Sequence, residues 1–156
     1  MNTLNPDDLI AKIDNALETM CFVMADVVDA EDAAEEPSIT TWIRFHNESE
    51  EGCLQLRASL GFVQEVGSGL LGIDPDEVEE GEQSQGVLLE LANVIAGEVV
   101  CLLGGEETYF QLGLPSSEKV ELNAPEEHID ITFDSMGETF CVGVVRGGKA
   151  SENEAA

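Results

Sequence analysis

Apolar positions fall at helical spacing in three stretches of the chain, and between them they alternate or cluster as strands do. Asn5-Pro6-Asp7-Asp8 reads as a helix start, with an N-cap Asn, Pro at the first helical position and acids in the first turn. Leu9, Ile10, Ile13, Ala16, Leu17 and Met20 carry that helix forward, and Cys21 to Val28 turns β-like. An acidic loop, Asp29 to Pro37, leads to a strand over Ile39 to His46. A loop at Asn47 to Gly52 joins it to an alternating strand over Gly52 to Leu60. Phe62, Val63, Val66, Leu70 and Leu71 predict a shorter helix ending near Gly72, followed by a second acidic connection, Asp74 to Glu82. The longest helical pattern, Gly86 to Gly104, is free of Pro and closed by Gly104-Gly105. Strands are then expected over Thr108 to Pro115, His128 to Phe133 and Glu138 to Val145, the last two joined by a turn at Ser135 to Gly137. The sum is an α+β fold, an antiparallel sheet packed with two long helices and one shorter helix, in a single domain over 1–146. Gly147 to Ala156 has little to bury and is expected to be a disordered acidic tail.

Within the longest helix, Leu88, Leu91, Ala92, Ile95, Val99, Leu102 and Leu103 fall on one apolar stripe. Gly86, Glu90, Asn93 and Gly97 fall together on the other side, at spacings of four, three and four. Glu favours helices, but Asn at mid-helix does not, and each Gly costs up to ~1 kcal/mol relative to Ala. A helix carrying those losses on one face gains something there, which marks it as a working face. Spacing alone equally allows a core helix whose solvent side happens to carry Glu and Asn.

A short internal repeat points to the first helix. Leu17-Glu18 through Asp26-Val27-Val28 aligns without a gap on Leu89-Glu90 through Glu98-Val99-Val100. It implies a duplicated half-domain with the two long helices related by a pseudo-twofold. Glu18 then corresponds to Glu90, while Cys21 stands where Asn93 would, so Glu18 and Cys21 mark a degenerate second half-site.

Charge narrows the partners. With 33 acidic against 6 basic residues the net charge is −27, which repels nucleic acid and anionic membranes. The first residues are acidic, without a secretory pattern, and no apolar run approaches the ~20 residues needed to span a bilayer, so a cytoplasmic location and no membrane partner are expected. Cys21, Cys53, Cys101 and Cys141 are far apart, each within or beside an apolar segment, and read as buried thiols; His46 and His128 are isolated. No zinc spacing, disulfide framework or Cys–His pairing is present in the sequence, and no metal site is expected.

Glu90-Leu91-Ala92-Asn93 followed by Gly97 resembles the Glu-x-x-Asn-x-x-x-Gly helix of the CheC/CheX chemotaxis phosphatases. Tyr109 to Ser116 resembles the strand and Leu-Pro step after that helix, and the Leu17 to Met20 end of the first helix is similar too. With length, strand order and the duplicated helix, the resemblance extends over most of residues 5–146. It implies hydrolysis of the aspartyl phosphate on a CheY-like response regulator, whose own Mg2+ stabilises the phosphoryl oxygens, so that no cofactor of its own is needed. By the same resemblance Asn93 orients the attacking water and Glu90 pairs with a lysine near the receiver's active site. Gly86 and Gly97 would allow a partner's close approach. The Cys21 position makes the chain similar to CheX-type members, with one site per chain and a homodimer. The alternative is a non-catalytic module on the same fold that binds a response regulator or joins a signalling assembly.

Overall fold

A computed structural model describes residues 3–104 and 109–149. The Asn5 side chain accepts hydrogen bonds from the amides of Asp7 (2.8 Å) and Asp8 (3.3 Å), which starts helix α1 at Pro6–Ala16. The helix continues into a π-helical turn, Leu17–Cys21, and stops at Phe22, whose φ of 58° is left-handed. That stop shortens the β-like stretch expected from Cys21: only Asp26–Val28 forms a strand, β1. Next come β2 (Ile39–His46) and β3 (Glu50–Ala58). Their loop ends at Ser49 rather than Gly52, because the Asn47 carboxamide accepts from the amides of Ser49 (2.9 Å) and Glu50 (2.8 Å) and closes the turn early. Helix α2 (Leu60–Leu71) ends at left-handed Gly72, as its sequence predicts, and α3 runs over Glu82–Gly104.

After α3 the strand expected over Thr108 to Pro115 reduces to β4, Gln111–Leu112, with one further bridge between Ser116 and Trp42; Gly105 to Thr108 lie outside the described residues. Strands β5 (Pro125–Ser135) and β6 (Glu138–Gly148) form a hairpin. Its turn residues, Met136 (φ 51°) and Gly137 (φ 87°), both adopt the left-handed values that a two-residue hairpin needs. Strand β6 reaches further than the alternation shows. Gly147 and Gly148 pair with Glu51 and Glu50, so they belong to the sheet and not to a tail; residues 150–156 lie outside the described residues.

All pairings are antiparallel, in the order β1-β5-β6-β3-β2-β4. That order carries the duplication. A helix, a short strand and a hairpin (α1, β1, β2–β3) are followed by the same series (α3, β4, β5–β6). Each half lends its short strand to the edge of the other half's hairpin, which puts a pseudo-twofold between β3 and β6. The gapless repeat holds only as far as the helices do: Asp26–Val28 is strand, whereas Glu98 to Val100 is helix. Helix α2 has no counterpart.

One face of the sheet presents Ile43, Phe45, Leu54, Leu56, Phe133, Phe140, Val142 and Val144, all buried. Helix α3 lies over β2 and β3, α1 packs against α3, and α2 touches α3, β6 and the π-helical turn. Phe62 of α2 stacks on Phe140 with ring centres 4.5 Å apart. An 18-residue stretch of α3 has a mean hydropathy of 2.0, long and apolar enough by composition to cross a bilayer, contrary to the sequence expectation. The widely spaced Glu82, Glu90 and Glu98 mask that run in the sequence, and in the fold its apolar stripe lies on the sheet.

Candidate functional site

The orientation of α3 is set by its buried stripe and by hydrogen bonds at its start. Leu88, Leu91, Ala92, Ile95, Val99 and Leu103 are buried as expected and Leu102 partly so, with Val87 and Ala96 added to them. At the start, the Glu79 amide donates to the Gln83 carboxamide (2.7 Å) and the Gly81 amide to the Ser84 hydroxyl (3.0 Å). The Gln85 carboxamide donates to the Thr40 carbonyl (3.0 Å) and fixes the first turn to β2. With rotation and register held, the opposite face must point away from the sheet.

That face carries Glu90 and Asn93, both exposed and one turn apart, between half-buried Gly86 and Gly97. Among the described residues neither the Glu90 nor the Asn93 side chain has a hydrogen-bond or ion-pair partner. A Cβ built at Gly86 or Gly97 meets nothing within 4 Å, and neither residue has a positive φ. The fold therefore gives no packing or conformational reason for either glycine.

Two neighbours complete the surface. Lys12 of α1 pairs with Glu98 of α3 at 3.7 Å, with side chains 47% and 37% exposed. It is the single cation on the helices; the other five Lys and Arg (Arg44, Arg57, Lys119, Arg146, Lys149) lie on strands or their connections. Glu77, Glu79, Glu80 and Glu82 add exposed carboxylates at the start of α3, so this side is strongly anionic. The second neighbour is Cys101, which is exposed and not the buried thiol expected. It stands one turn beyond Gly97 on the same face, a placement that its spacing of four from Gly97 already contains. Cys21, Cys53 and Cys141 are buried as expected.

The second half-site is built differently. Glu18 is exposed, but Cys21 is turned inward, 2% exposed, beneath α2. A side chain at Gly69 of α2 would collide with the Cys21 carbonyl oxygen, so the two backbones meet directly there. Burial pushes the Cys21 thiol up to about 11. Asp14, one turn before Glu18, is also raised, first by burial and then by the charges of Asp26 and Glu18. The structure thus brings together Gly86, Glu90, Asn93 and Gly97, and separates Glu18 from Cys21. Among the described residues no group of three His, Cys, Asp or Glu converges as a metal site would.

No protein-family model matches the sequence, and no curated protein does. Solved structures are similar in fold. The chemotaxis protein CheX from Vibrio vulnificus superposes with a TM-score of 0.73 at 15% identity, covering 91% of this chain and 98% of that one. A CheC-like superfamily protein from Shewanella sp. PV-4 gives 0.70 at 20% identity, over 95% and 100% of the two chains. A chain of the CheX–CheY–BeF3–Mg2+ complex from Borrelia burgdorferi gives 0.65 at 16% identity, over 92% and 99%. The fold is that of CheX and CheC-like proteins, as the Glu-x-x-Asn helix and the layout of the chain imply.

Proposed function

We propose that the exposed face of α3 docks at the active-site mouth of a CheY-like receiver domain and that the chain hydrolyses its aspartyl phosphate. The observation that carries this reading is the pairing of Glu90 and Asn93: exposed, one turn apart, without internal partners, and flanked by two glycines that the fold does not require. In such a complex the Asn93 amide holds a water in line with the phosphorus–aspartate bond. An amide both accepts and donates, and it brings no negative charge toward the phosphoryl oxygens. Water oxygen bonds to phosphorus as the bond to the aspartyl oxygen breaks, releasing inorganic phosphate and the receiver's carboxylate. Glu90 pairs with a receiver lysine and fixes register, while Gly86 and Gly97 let the two backbones approach. Mg2+ belongs to the receiver. The anionic side around α3 favours a partner whose site is rimmed by basic groups. The similar CheX of Borrelia burgdorferi, solved as a complex with CheY, supports the choice of partner. The chain is further read as a homodimer joined through the edges at β1 and β4, where Val27 (49%) and Leu112 (41%) are exposed.

The test is decay of labelled phosphate on a panel of receiver domains, with light scattering on the same sample. Faster decay on at least one receiver and a mass twice 16.7 kDa are expected. Tight binding to a receiver without faster decay leaves the non-catalytic module and ends the enzyme reading; a mass of one chain ends the dimer.

A further inference from the structure

The connection between β4 and β5 crosses the face of the sheet that the helices do not cover. It is held there by the Trp42–Ser116 bridge, by the Arg44 guanidinium donating to the Glu121 carbonyl (3.2 Å), and by the Asn123 amide donating to the Glu51 carboxylate (3.1 Å). Between it and the strands lies a cavity of about 360 Å3. Trp42, Cys53, Gln55 and Val145 form its floor, on the side opposite Ile43, Leu54, Leu56 and Val144 of the core, and Val120 and Leu122 form its roof.

Three features define what fits. The volume lies in the range of small-ligand pockets, and most of the lining is apolar. Trp42 and Gln55, both half-buried, bring an indole N–H and a carboxamide that have no protein partner among the described residues, so donors open to a ligand stand among the apolar walls. At the rim Lys119 pairs with Glu121 at 3.5 Å, and the His128 imidazole lies 2.9 Å from the Asp130 carboxylate. Lys119, the one Lys or Arg that lines the cavity, is taken by Glu121, and a chain of net charge −27 repels an approaching anion.

We propose that this cavity is a binding site for a small uncharged aromatic molecule bearing a carbonyl-type acceptor, its ring against Trp42 and its acceptor taking a hydrogen bond from the Gln55 carboxamide. It lies across the sheet from α3 and does not depend on the function proposed for that helix.

Trp42 is the sole tryptophan, so its indole N–H gives one resolved NMR signal from within the cavity. Titrating the full chain with benzamide should move that signal saturably. Benzoate, the same ring with a charge, should bind at least about tenfold more weakly. Val145→Phe fills the cavity from a central strand and should abolish the shift. Gln55→Leu keeps the floor apolar and should weaken benzamide severalfold, which gives a second reading if Val145→Phe does not fold. An unsaturating or absent shift with benzamide, equal binding of benzoate, or unchanged benzamide binding in a folded variant of either kind overturns the proposal.

Discussion

The two long helices carry a glutamate at corresponding places, and only one of them sets an exposed amide beside it. On α3 the backbone stays α-helical for more than three turns beyond Glu90, so Asn93 follows it onto the same exposed face. On α1 the geometry changes at the same point: Leu17–Cys21 is a π-helical turn, closed by left-handed Phe22. The extra residue in a π turn rotates the side chains beyond it, and Cys21 goes inward. Helix α2, present in one half only, then sits on that turn through Gly69. The pair of half-sites therefore differs in backbone and in cover as well as in one residue, so restoring the residue alone should leave the second half-site closed.

Replacing the amide tests the working half most directly. Asn93→Ala leaves the buried stripe untouched, so the chain should fold as before, while catalysed phosphate loss from the receiver should fall by about 10²-fold. Binding should survive. Glu90→Ala, by contrast, should weaken binding by about tenfold, with a reduced dependence on salt. If Asn93→Ala lowers binding and rate alike, the two roles are exchanged or shared.

Cys21→Asn addresses the closed half. Were the halves equivalent, an amide there would add activity. In this fold it puts a polar group into a space 2% exposed, against the α2 backbone, at a cost of about 1–3 kcal/mol without a partner. Denaturant titration should show that loss, and phosphatase activity per folded molecule should not rise. A stable Cys21→Asn variant with added turnover would mean the π turn opens and the halves are closer than they look.

The legibility of the sequence divides along the same line. The α3 face was legible because a regular helix converts spacing into direction, so Gly86, Glu90, Asn93 and Gly97 had to share a side. Asn5, Pro6, Gly72 and the Met136–Gly137 turn were legible for a similar reason: each satisfies a local backbone demand. The π turn was not, since Leu17 to Cys21 carries no residue that forbids α geometry, and the turn takes its shape among α2 and the sheet. The sequence therefore placed Cys21 opposite Asn93 and read it as a buried thiol, but gave no sign of the backbone change that turns it inward. Strand β4 was overestimated because apolar Tyr109 and Leu114 suggested burial, yet they are 85% and 91% exposed. The extension of β6 through Gly147 was missed because a glycine pair carries no apolar signal; its place there is fixed by close approach to Ala124.

Glycine substitution sharpens the comparison further. Gly86→Ala and Gly97→Ala place a methyl in open space, so each should stabilise the isolated chain by up to ~1 kcal/mol through helix propensity. If a partner's surface must lie against this face, the same changes weaken receiver binding, opposing stability and function at one position. Gly69→Ala on the closed side should do the reverse and destabilise, since its methyl meets the Cys21 carbonyl. Thermal melts of the three variants separate these effects. Stabilisation at Gly97 with unaltered receiver affinity would remove the glycines from the docking surface.

The smallest effect lies in the acids left around the closed half. Asp14 has its pKa raised from 3.8 by burial and by Asp26 and Glu18, so the folded chain holds this proton more tightly than the unfolded chain. The contribution is then favourable below the ordinary carboxylate range and is lost as pH rises through the folded value. At neutral pH ionised Asp14 opposes folding, beside the like charges of Asp26 and Glu18. Asp14→Asn should therefore raise the melting temperature slightly at pH 7, and the gap to the wild type should close as pH falls below 3.8. Asp8→Asn is the control, because an acid in the first turn of α1 is favoured by the dipole and its loss should lower stability. A gap at Asp14 that persists unchanged at low pH would trace the gain to helix propensity and leave the acidic cluster without a part in holding the second half-site as it is.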